Sequence, residues 1–290
     1  MAPPDTDDGT TDLTPPETTR EDVLLVPDDR FTPETVALVT GAASGIGRAT
    51  AIALACNGLT VAATDIDEDG LTETRSLAAD LGADGAVDPL VGDLTDADDV
   101  ARVVDAAADR GDLRYVANVA GVQHIASVAE FPVEQWDLLL DVMLRAPFLV
   151  TKHAAPHIRE AGGGAVANMS SVHGHYATRD KPAYIAAKHG LHGLTRATAA
   201  EGDGVLRAFT VSVGYVLTPL MTDQIADQAR ERGISEREVV DDVFLGQART
   251  KELMTPAQVA NLFVFGLSEH GRHLNGGDML WDGGYTHTYE

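Results

Sequence analysis

The chain has 290 residues, enough for one large α/β domain or two small ones, and its 45 acidic and 21 basic side chains give a formal net charge of −24. Such a charge repels nucleic acid and anionic lipid, so we expect neither as a partner. The one cysteine, Cys56, excludes a disulfide within the chain, and the sequence has no apolar run of membrane-spanning length and no basic-then-apolar leader. We therefore predict a cytoplasmic protein.

The acidity has two explanations. A composition rich in aspartate, with arginine favoured over lysine, resembles that of proteins from salt-adapted organisms, in which salt screens the self-repulsion. An acidic cytosolic protein from an ordinary habitat has the same composition. A melting temperature that does not change between low and molar salt would argue against salt adaptation.

Residues 1–33 are rich in Pro, Thr and Asp and carry few large apolar side chains, which predicts a flexible or loosely docked tail. The sequence does not decide whether the apolar stretch DVLLV at 22–26 packs against the rest of the protein. Residues 34–290 show no internal repeat and no sign of a second core, so we predict a single domain there.

From Val36 onward, short apolar runs alternate with longer amphipathic segments. The runs predict strands at 36–40, 59–64, 86–91, 113–120, 164–170 and 207–213, and the segments predict helices at 46–57, 68–81, 96–109, 133–159 and 183–201. Apolar strands that alternate with helices indicate a parallel sheet covered on both faces. The predicted fold class is α/β, a single Rossmann-like, doubly wound parallel sheet with right-handed crossovers.

The stretch VALVTGAASGIGRATAIAL at 36–54 is typical of a strand, a glycine loop and the start of a helix. Gly41 permits a tight turn, Gly45 permits close approach of a pyrophosphate, and Gly47 permits close packing of helix and strand. The first turn of the helix adds free N–H groups and the positive end of its dipole. Because an acidic residue, Asp65, ends the second strand, this pattern predicts a dinucleotide site.

Asp65 also indicates which dinucleotide binds. Its carboxylate is placed to accept hydrogen bonds from the adenosine ribose hydroxyls and to repel a 2′-phosphate. No arginine stands at Ser44 or Ile66 to receive that phosphate. NAD is therefore predicted over NADP, with an ordinary turn aspartate as the alternative interpretation. Asp93, at the end of the third strand, is placed to hydrogen-bond the adenine.

Several further motifs occur in order along the chain: GDL at 92–94, NVAG at 118–121, Ser171, Tyr184, Lys188, and WDGG at 281–284. Together with T-G-x-x-x-G-x-G at 40–47, they make about 36–284 similar to the short-chain dehydrogenase/reductase family. The resemblance implies that NAD contacts Gly41, Ser44, Gly45, Ile46, Gly47, Asp65, Ile66, Asp93, Leu94, Asn118, Ala120, Gly121, Tyr184, Lys188, Gly214, Val216 and Thr218.

Tyr184 and Lys188 are four residues apart in a predicted helix, so they share one face. An ammonium beside a phenol favours the phenolate, so we expect Lys188 to lower the pKa of Tyr184 and make it an acid–base catalyst near neutral pH. The resemblance implies that Ser171 hydrogen-bonds the substrate oxygen and that Lys188 also holds the nicotinamide ribose. Taken singly, Ser171 has a helix cap or turn as its alternative role, and Tyr184 has that of a half-buried core tyrosine.

The sequence departs from the family pattern in two places. Met143 stands where the family has a helix asparagine, whose backbone carbonyl binds a water that passes protons from the lysine to solvent. Pro147 has no N–H to bond that carbonyl, so we hypothesise that the Met143 carbonyl stays free for the water and counts among the catalytic groups. A kinked helix with weakened activity is the alternative. Phe209 and Val213 replace an asparagine and a Pro-Gly, which predicts a different loop beside the nicotinamide.

The substrate end is predicted from polar side chains and one aromatic wall: Gln123, His173, Lys181, Tyr215 and Gln224. A lysine, a histidine and two amides suit a small carboxylate. Their motifs resemble those of the 3-hydroxybutyrate dehydrogenases within the family, which implies hydride transfer between NAD and (R)-3-hydroxybutyrate or acetoacetate. Another small alcohol or ketone stays open as the substrate. A non-catalytic dinucleotide sensor or scaffold also stays open, and Met143 favours it.

The ten histidines predict no metal site. His189 and His192 are three apart in a helix, but no third ligand has convincing spacing, so packing or surface placement explains them. The family resemblance implies a homotetramer in which helices around 133–160 and 183–201 pack across subunits.

Overall fold

The structure, a computed structural model, describes residues 13–288. Its central sheet has seven parallel strands: β1 (Thr35–Thr40), β2 (Thr60–Asp65), β3 (Ala86–Val91), β4 (Asp112–Asn118), β5 (Gly164–Met169), β6 (Leu206–Val213) and β7 (Asp278–Trp281). Their spatial order is β3–β2–β1–β4–β5–β6–β7. The order along the chain reverses between β1 and β4, and open α/β sheets bind ligands at this switch point. The predicted fold class is confirmed.

The helices are α1 (Gly45–Cys56), α2 (Glu68–Asp80), α3 (Ala97–Ala108), α4 (Val133–Leu140), α5 (Ala146–Glu160), α6 (Pro182–Glu201), α7 (Pro219–Arg232), α8 (Glu236–Glu238) and α9 (Pro256–Leu267). α1 and α9 cover one face of the sheet and α3 and α5 cover the other, whereas α7 packs against Tyr215 and Phe244. The sequence analysis predicts none of α7, α8, α9 and β7. Within residues 13–288, no helix combines the length and the apolar character needed to cross a membrane.

Alternate residues of a central strand face opposite helix layers. In β1, Ala37 and Val39 belong to the apolar cluster on the side of α1 and α9, whereas Val36 and Leu38 belong to the cluster on the side of α3 and α5. All six residues of the strand are buried. Burial on both faces explains why the strand is a continuous apolar run in the sequence and not an alternating one.

The long helix predicted at 133–159 is interrupted. A π-helical turn, Asp141–Arg145, separates α4 from α5. Pro147, the second residue after this turn, has no N–H, so the α-helical donor to the Met143 carbonyl is missing. The interruption is consistent with the hypothesis that this carbonyl is free, and the water beside it stays a prediction.

Part of the N-terminal segment docks on the outside of the sheet's helix layer. Asn57, at the end of α1, and Asn261, in α9, each form two hydrogen bonds with backbone groups of residues 22–26. The Val23 side chain is buried against the same layer. DVLLV therefore packs against the domain. The flexible-tail prediction for residues 1–12 lies outside the described residues.

Candidate active site

A cavity of about 630 Å³ opens at the carboxyl edge of the sheet, above the switch point between β1 and β4. Loops that follow strands β1 to β6 line it, as does the first part of α6. The predicted site residues that it brings together are Gly41, Ser44, Gly45, Ile46, Gly47, Asp65, Ile66, Asp93, Leu94, Ala120, Gly121, Gln123, Ser171, His173, Lys181, Tyr184, Lys188, Gly214, Tyr215, Val216, Thr218 and Gln224.

Two predicted residues do not line this cavity. The Asn118 side chain is buried and donates from Nδ2 to Oδ1 of Asn168 on the neighbouring strand, at 2.8 Å. The Met143 side chain is buried in an apolar cluster with Leu139 and Ala183. The Asn118 side chain therefore links two neighbouring strands. Of Met143, only the backbone carbonyl is left to take part in the proposed proton relay.

The glycine loop is built as its spacing predicts. Gly41 has a φ of +69°, and a Cβ there would lie 2.7 Å from the Ala120 backbone. A Cβ on Gly47 would lie 1.9 Å from the Gly41 carbonyl oxygen. Ser44 caps α1 without a side-chain hydrogen bond to the helix. The first N–H groups of α1 thus remain available at the cavity, as a pyrophosphate requires.

The second strand ends in a carboxylate that the backbone holds in place. Asp65 Oδ1 accepts from the Ile66 N–H at 2.8 Å, and Oδ2 accepts from the Ala43 N–H at 3.2 Å. In the cavity lining, drawn from residues 13–288, the only lysines or arginines are Lys181 and Lys188. The ribose end of the site is therefore acidic.

Three residues form the candidate catalytic group. Ser171 ends the loop after β5, and its Oγ accepts from the His173 N–H at 3.2 Å. Tyr184 and Lys188 lie one turn apart in α6, with Lys188 Nζ 5.3 Å from the centroid of the tyrosine ring. Nζ donates to the Met169 carbonyl at 2.7 Å. The predicted constellation is assembled at one wall of the cavity.

The pKa expected for Tyr184 is wrong. Burial raises the pKa of Tyr184, and its hydrogen bond with Ser171 opposes the rise without cancelling it. Burial also lowers the pKa of Lys188 to about 7. With a pKa of about 7, Lys188 is only partly charged at neutral pH, so it favours the phenolate less than residue spacing alone suggests.

The substrate end contains a second cation, which is partly shielded from water. Lys181 precedes α6, and burial lowers its pKa to about 8. Among the described residues, its ammonium has no hydrogen-bond or ion-pair partner. The residue before it, Asp180, has a φ of +65°, a left-handed conformation that is rare for non-glycine residues and that aspartate tolerates better than most. The loop thus presents an unpaired positive charge to the cavity.

His173 is held rigidly and uncharged. Its Nδ1 lies 3.4 Å from Ser171 Oγ and its Nε2 lies 3.1 Å from Thr178 Oγ1, while Tyr176 stacks on the ring. Burial, helped by the charge of Lys181, lowers its pKa to about 3. It therefore offers a substrate a neutral hydrogen-bonding group.

The remaining predicted substrate residues surround these groups. Tyr215 stacks on Phe244 with ring centroids 4.5 Å apart and forms an aromatic wall. Gln123 and Gln224 line the same cavity. The sequence analysis missed the apolar walls, which are Val122, Leu138, Val142, Leu220 and Met221. No motif marks such residues, because an apolar side chain near a ligand has the same pattern as one in the core.

Comparison with known proteins decides the family. A family model described as enoyl-(acyl carrier protein) reductase matches residues 41–286. The D-beta-hydroxybutyrate dehydrogenase of Rhizobium meliloti (strain 1021) is 37% identical over 253 residues, which cover 86% of this chain and 98% of the relative. This chain belongs to the short-chain dehydrogenase/reductase family.

Solved structures of other short-chain dehydrogenases have the same fold. Levodione reductase superposes with a TM-score of 0.83 at 29% identity, and the match covers 90% of this chain and all of the other. A protein from Beutenbergia cavernae described as a putative NAD(P)-dependent gluconate 5-dehydrogenase, with bound NADP, gives a TM-score of 0.80 at 28% identity, covering 89% of this chain and all of the other. The protein is an NAD(P)-dependent oxidoreductase that acts on CH–OH groups.

Proposed function

We propose that this short-chain dehydrogenase uses NAD to interconvert (R)-3-hydroxybutyrate and acetoacetate. The observation that carries the proposal is the ammonium of Lys181, which is partly shielded from water and has no partner among the described residues, in the same cavity as Ser171 and Tyr184. A buried charge is costly unless an opposite charge joins it. A small hydroxy acid supplies a carboxylate for Lys181 and a hydroxyl for Tyr184. The D-beta-hydroxybutyrate dehydrogenase relative, 37% identical, supports this choice.

The protein groups divide the work of the reaction. The glycine loop and Asp65 would hold NAD, which would supply hydride transfer to and from the carbinol carbon. In reduction the protonated Tyr184 Oη gives its proton to the substrate oxygen, and in oxidation its phenolate form takes the proton of the substrate hydroxyl. The Ser171 hydroxyl donates to the same substrate oxygen and stabilises its developing charge. The raised pKa of Tyr184 keeps the phenol protonated at neutral pH, which suits the direction of reduction.

Asp65 supports NAD as the cofactor in this proposal. A carboxylate oriented by two backbone N–H groups, with no lysine or arginine beside it in the described cavity lining, accepts from ribose hydroxyls and repels a 2′-phosphate. The residues fit the dinucleotide because the open first turn of α1 and the missing side chain at Gly47 leave room and N–H donors for its phosphates.

We propose that protons pass between the site and solvent through Lys188 and a water bound to the Met143 carbonyl. Pro147 removes the donor that would bond this carbonyl in a regular helix. A water on that carbonyl, within reach of Lys188, would take the place that the family's asparagine fills. The intact Ser171, Tyr184 and Lys188 argue against a sensor or scaffold without turnover.

The proposal is tested by incubating the purified protein with NAD and a panel of hydroxy acids and uncharged alcohols, and following absorbance of the reduced nicotinamide. We expect (R)-3-hydroxybutyrate to give the highest kcat/KM. Lys181→Ala should raise its KM by about 10- to 100-fold, the value of a charge-assisted hydrogen bond. Lys152→Ala, which removes an exposed lysine of α5, is the matched control.

Two results would overturn the proposal. An unchanged KM in Lys181→Ala would mean that the substrate is another alcohol. No turnover of any compound, with NAD still bound, would favour the sensor or scaffold.

We further propose that residues 34–290 act as one catalytic domain of a cytoplasmic homotetramer. A shallow groove lined by Leu140, Leu144, Phe148 and Leu194 leaves apolar surface on α4, α5 and α6, and Phe148 is 49% exposed. Covering this surface with a second copy would remove it from water. Light scattering that gives the mass of one chain would contradict the tetramer.

A further inference from the structure

Three side chains from distant parts of the sequence meet beside the loop that follows β5 and carries Ser171. His175 follows β5, His192 lies in α6, and Asp278 begins β7. Their candidate ligand atoms all lie within 4.8 Å of one another. His175 Nε2 and Asp278 Oδ2 are 2.9 Å apart. The sequence analysis predicts no metal site because these residues have no motif spacing, and only the fold brings them together.

Hydroxyl groups hold the carboxylate of Asp278 in one orientation. Its Oδ1 accepts from Thr210 Oγ1 at 2.6 Å and from Ser212 Oγ at 2.8 Å. Both donors lie on β6, the neighbouring strand, so Asp278 cannot turn without losing them. Oδ2 therefore remains directed at His175. Support of this kind is typical of residues that ligate metals, whose orientation depends on a surrounding shell of hydrogen bonds.

His192 is oriented in the same way. Its Nε2 lies 3.1 Å from Ser170 Oγ, and its Nδ1 lies 3.4 Å from Thr210 Oγ1, on the side of Asp278. With Nε2 protonated and donating to Ser170, Nδ1 keeps a free electron pair for a metal. The same serine hydroxyl contacts the Lys188 carbonyl at 3.4 Å. One ring nitrogen is thus fixed by the protein and the other faces the cluster.

The cluster is accessible to ions from solvent. The His175 and Asp278 side chains are 23% and 17% exposed, and the ring of His287, a further imidazole, lies 6.0 Å from that of His175. The net charge of −24 raises the local concentration of cations around the protein.

We propose that His175, His192 and Asp278 bind one divalent transition-metal ion, for which zinc is the best match. Two imidazoles and a carboxylate are a ligand set that zinc favours over magnesium or calcium, with water or His287 at the fourth position. Ligands about 2.1 Å from a tetrahedral ion are about 3.4 Å apart, so atoms of the cluster that lie up to 4.8 Å apart must close by at most about 1.4 Å on binding. The ion would link the loop after β5, the helix α6 and the strand β7 through one ligand from each.

The proposal is separate from the reaction, since none of the three ligands lines the cavity. The competing explanation is a hydrogen-bonded His175–Asp278 pair that holds no metal. The two differ in whether the protein takes up an ion with a defined stoichiometry.

The test uses untagged full-length protein that has been stripped with a chelator and titrated with Zn²⁺ or Co²⁺. We expect one ion per chain after dialysis, a visible absorption band of four-coordinate Co²⁺, and a rise in Tm that grows with ion concentration. Asp278→Asn keeps the shape of the side chain, and His175→Ala changes a loop residue. Each should weaken binding by at least tenfold.

His189→Ala is the matched control. His189 lies in α6, as His192 does, is exposed, and among the described residues forms a hydrogen bond only with the Ile185 carbonyl of that helix. It should bind the ion as the unmodified protein does. NAD binding and circular dichroism show whether each variant is folded. If Asp278→Asn does not fold, metal binding by His175→Ala tests the proposal. Absence of stoichiometric binding, or equal binding by all variants, would overturn the proposal.

Discussion

The two ends of the cavity recognise their ligands by different means. At the cofactor end, backbone geometry dominates: Gly41 adopts a left-handed conformation, Gly47 allows α1 to approach the loop, and Asp65 is held by N–H groups. At the substrate end, the main features are two lysines whose charge is destabilised by burial, Lys181 and Lys188. The first end depends on shape that the sequence encodes locally, and the second on an electrostatic environment that only the whole fold creates.

The largest effect is expected when the phenol is removed. Tyr184→Phe should lower kcat in both directions by about 10²- to 10⁴-fold, because it removes the hydroxyl that is proposed to exchange the substrate proton. NAD binding should be nearly unchanged, since the glycine loop and Asp65 are intact.

Tyr115→Phe is the control for this variant. It removes a buried tyrosine hydroxyl on β4, outside the cavity lining, and should leave kcat unaltered. If Tyr184→Phe kept the turnover of the unmodified protein, the proposed mechanism would be wrong.

The cofactor end is tested by neutralising its carboxylate. Asp65→Asn keeps an oxygen for the Ile66 N–H but loses the charge, so we expect the preference for NAD over NADP, measured as the ratio of their kcat/KM values, to fall by at least about tenfold. Asp67→Asn, at the cap of α2 and outside the cavity lining, should leave the ratio as it is. A ratio that stays constant in Asp65→Asn would show that another feature selects the cofactor.

A smaller effect is expected from the interrupted helix. Pro147→Ala supplies an N–H that can bond the Met143 carbonyl, so kcat should fall several-fold while KM for the substrate is unchanged. Pro156→Ala, in the same helix and outside the cavity lining, is the control. An unaltered kcat in Pro147→Ala would leave Pro147 as a residue that only shapes the helix.

Much of the fold can be predicted from the sequence, for local reasons. The apolar runs of β1 to β6 are short and bounded by turns, and all except the edge strand β3 are largely buried, so they give a clear signal. α9 gives none, since nine of its residues are buried and its apolar side chains surround the whole helix. β7 has only four residues.

The candidate site also has features that the sequence predicts and features that it does not. The glycine loop and the pair Tyr184 and Lys188 are predicted from spacing, and Ser171 is predicted from the family resemblance. All of them line one cavity. The direction of the Tyr184 pKa does not follow from spacing, because it depends on how far the fold removes the phenol from water. The meeting of His175 with Asp278 does not follow either, since it needs β7 to lie beside β6.

The central claim is that Lys181 binds the carboxylate of the substrate. The most direct measurement is the ratio of kcat/KM for (R)-3-hydroxybutyrate to that for (R)-2-butanol, which has the same carbinol without the carboxylate, as a function of pH. Effects of Tyr184 and Lys188 act on both compounds and cancel in the ratio.

Lys181 is charged below its lowered pKa of about 8 and loses its charge above it. We therefore predict a ratio above about 100 that is constant below this pH, falls as the pH rises through about 8, and is small and independent of pH in Lys181→Ala. A ratio near one at all pH values, or the same pH dependence with and without Lys181, would contradict the account.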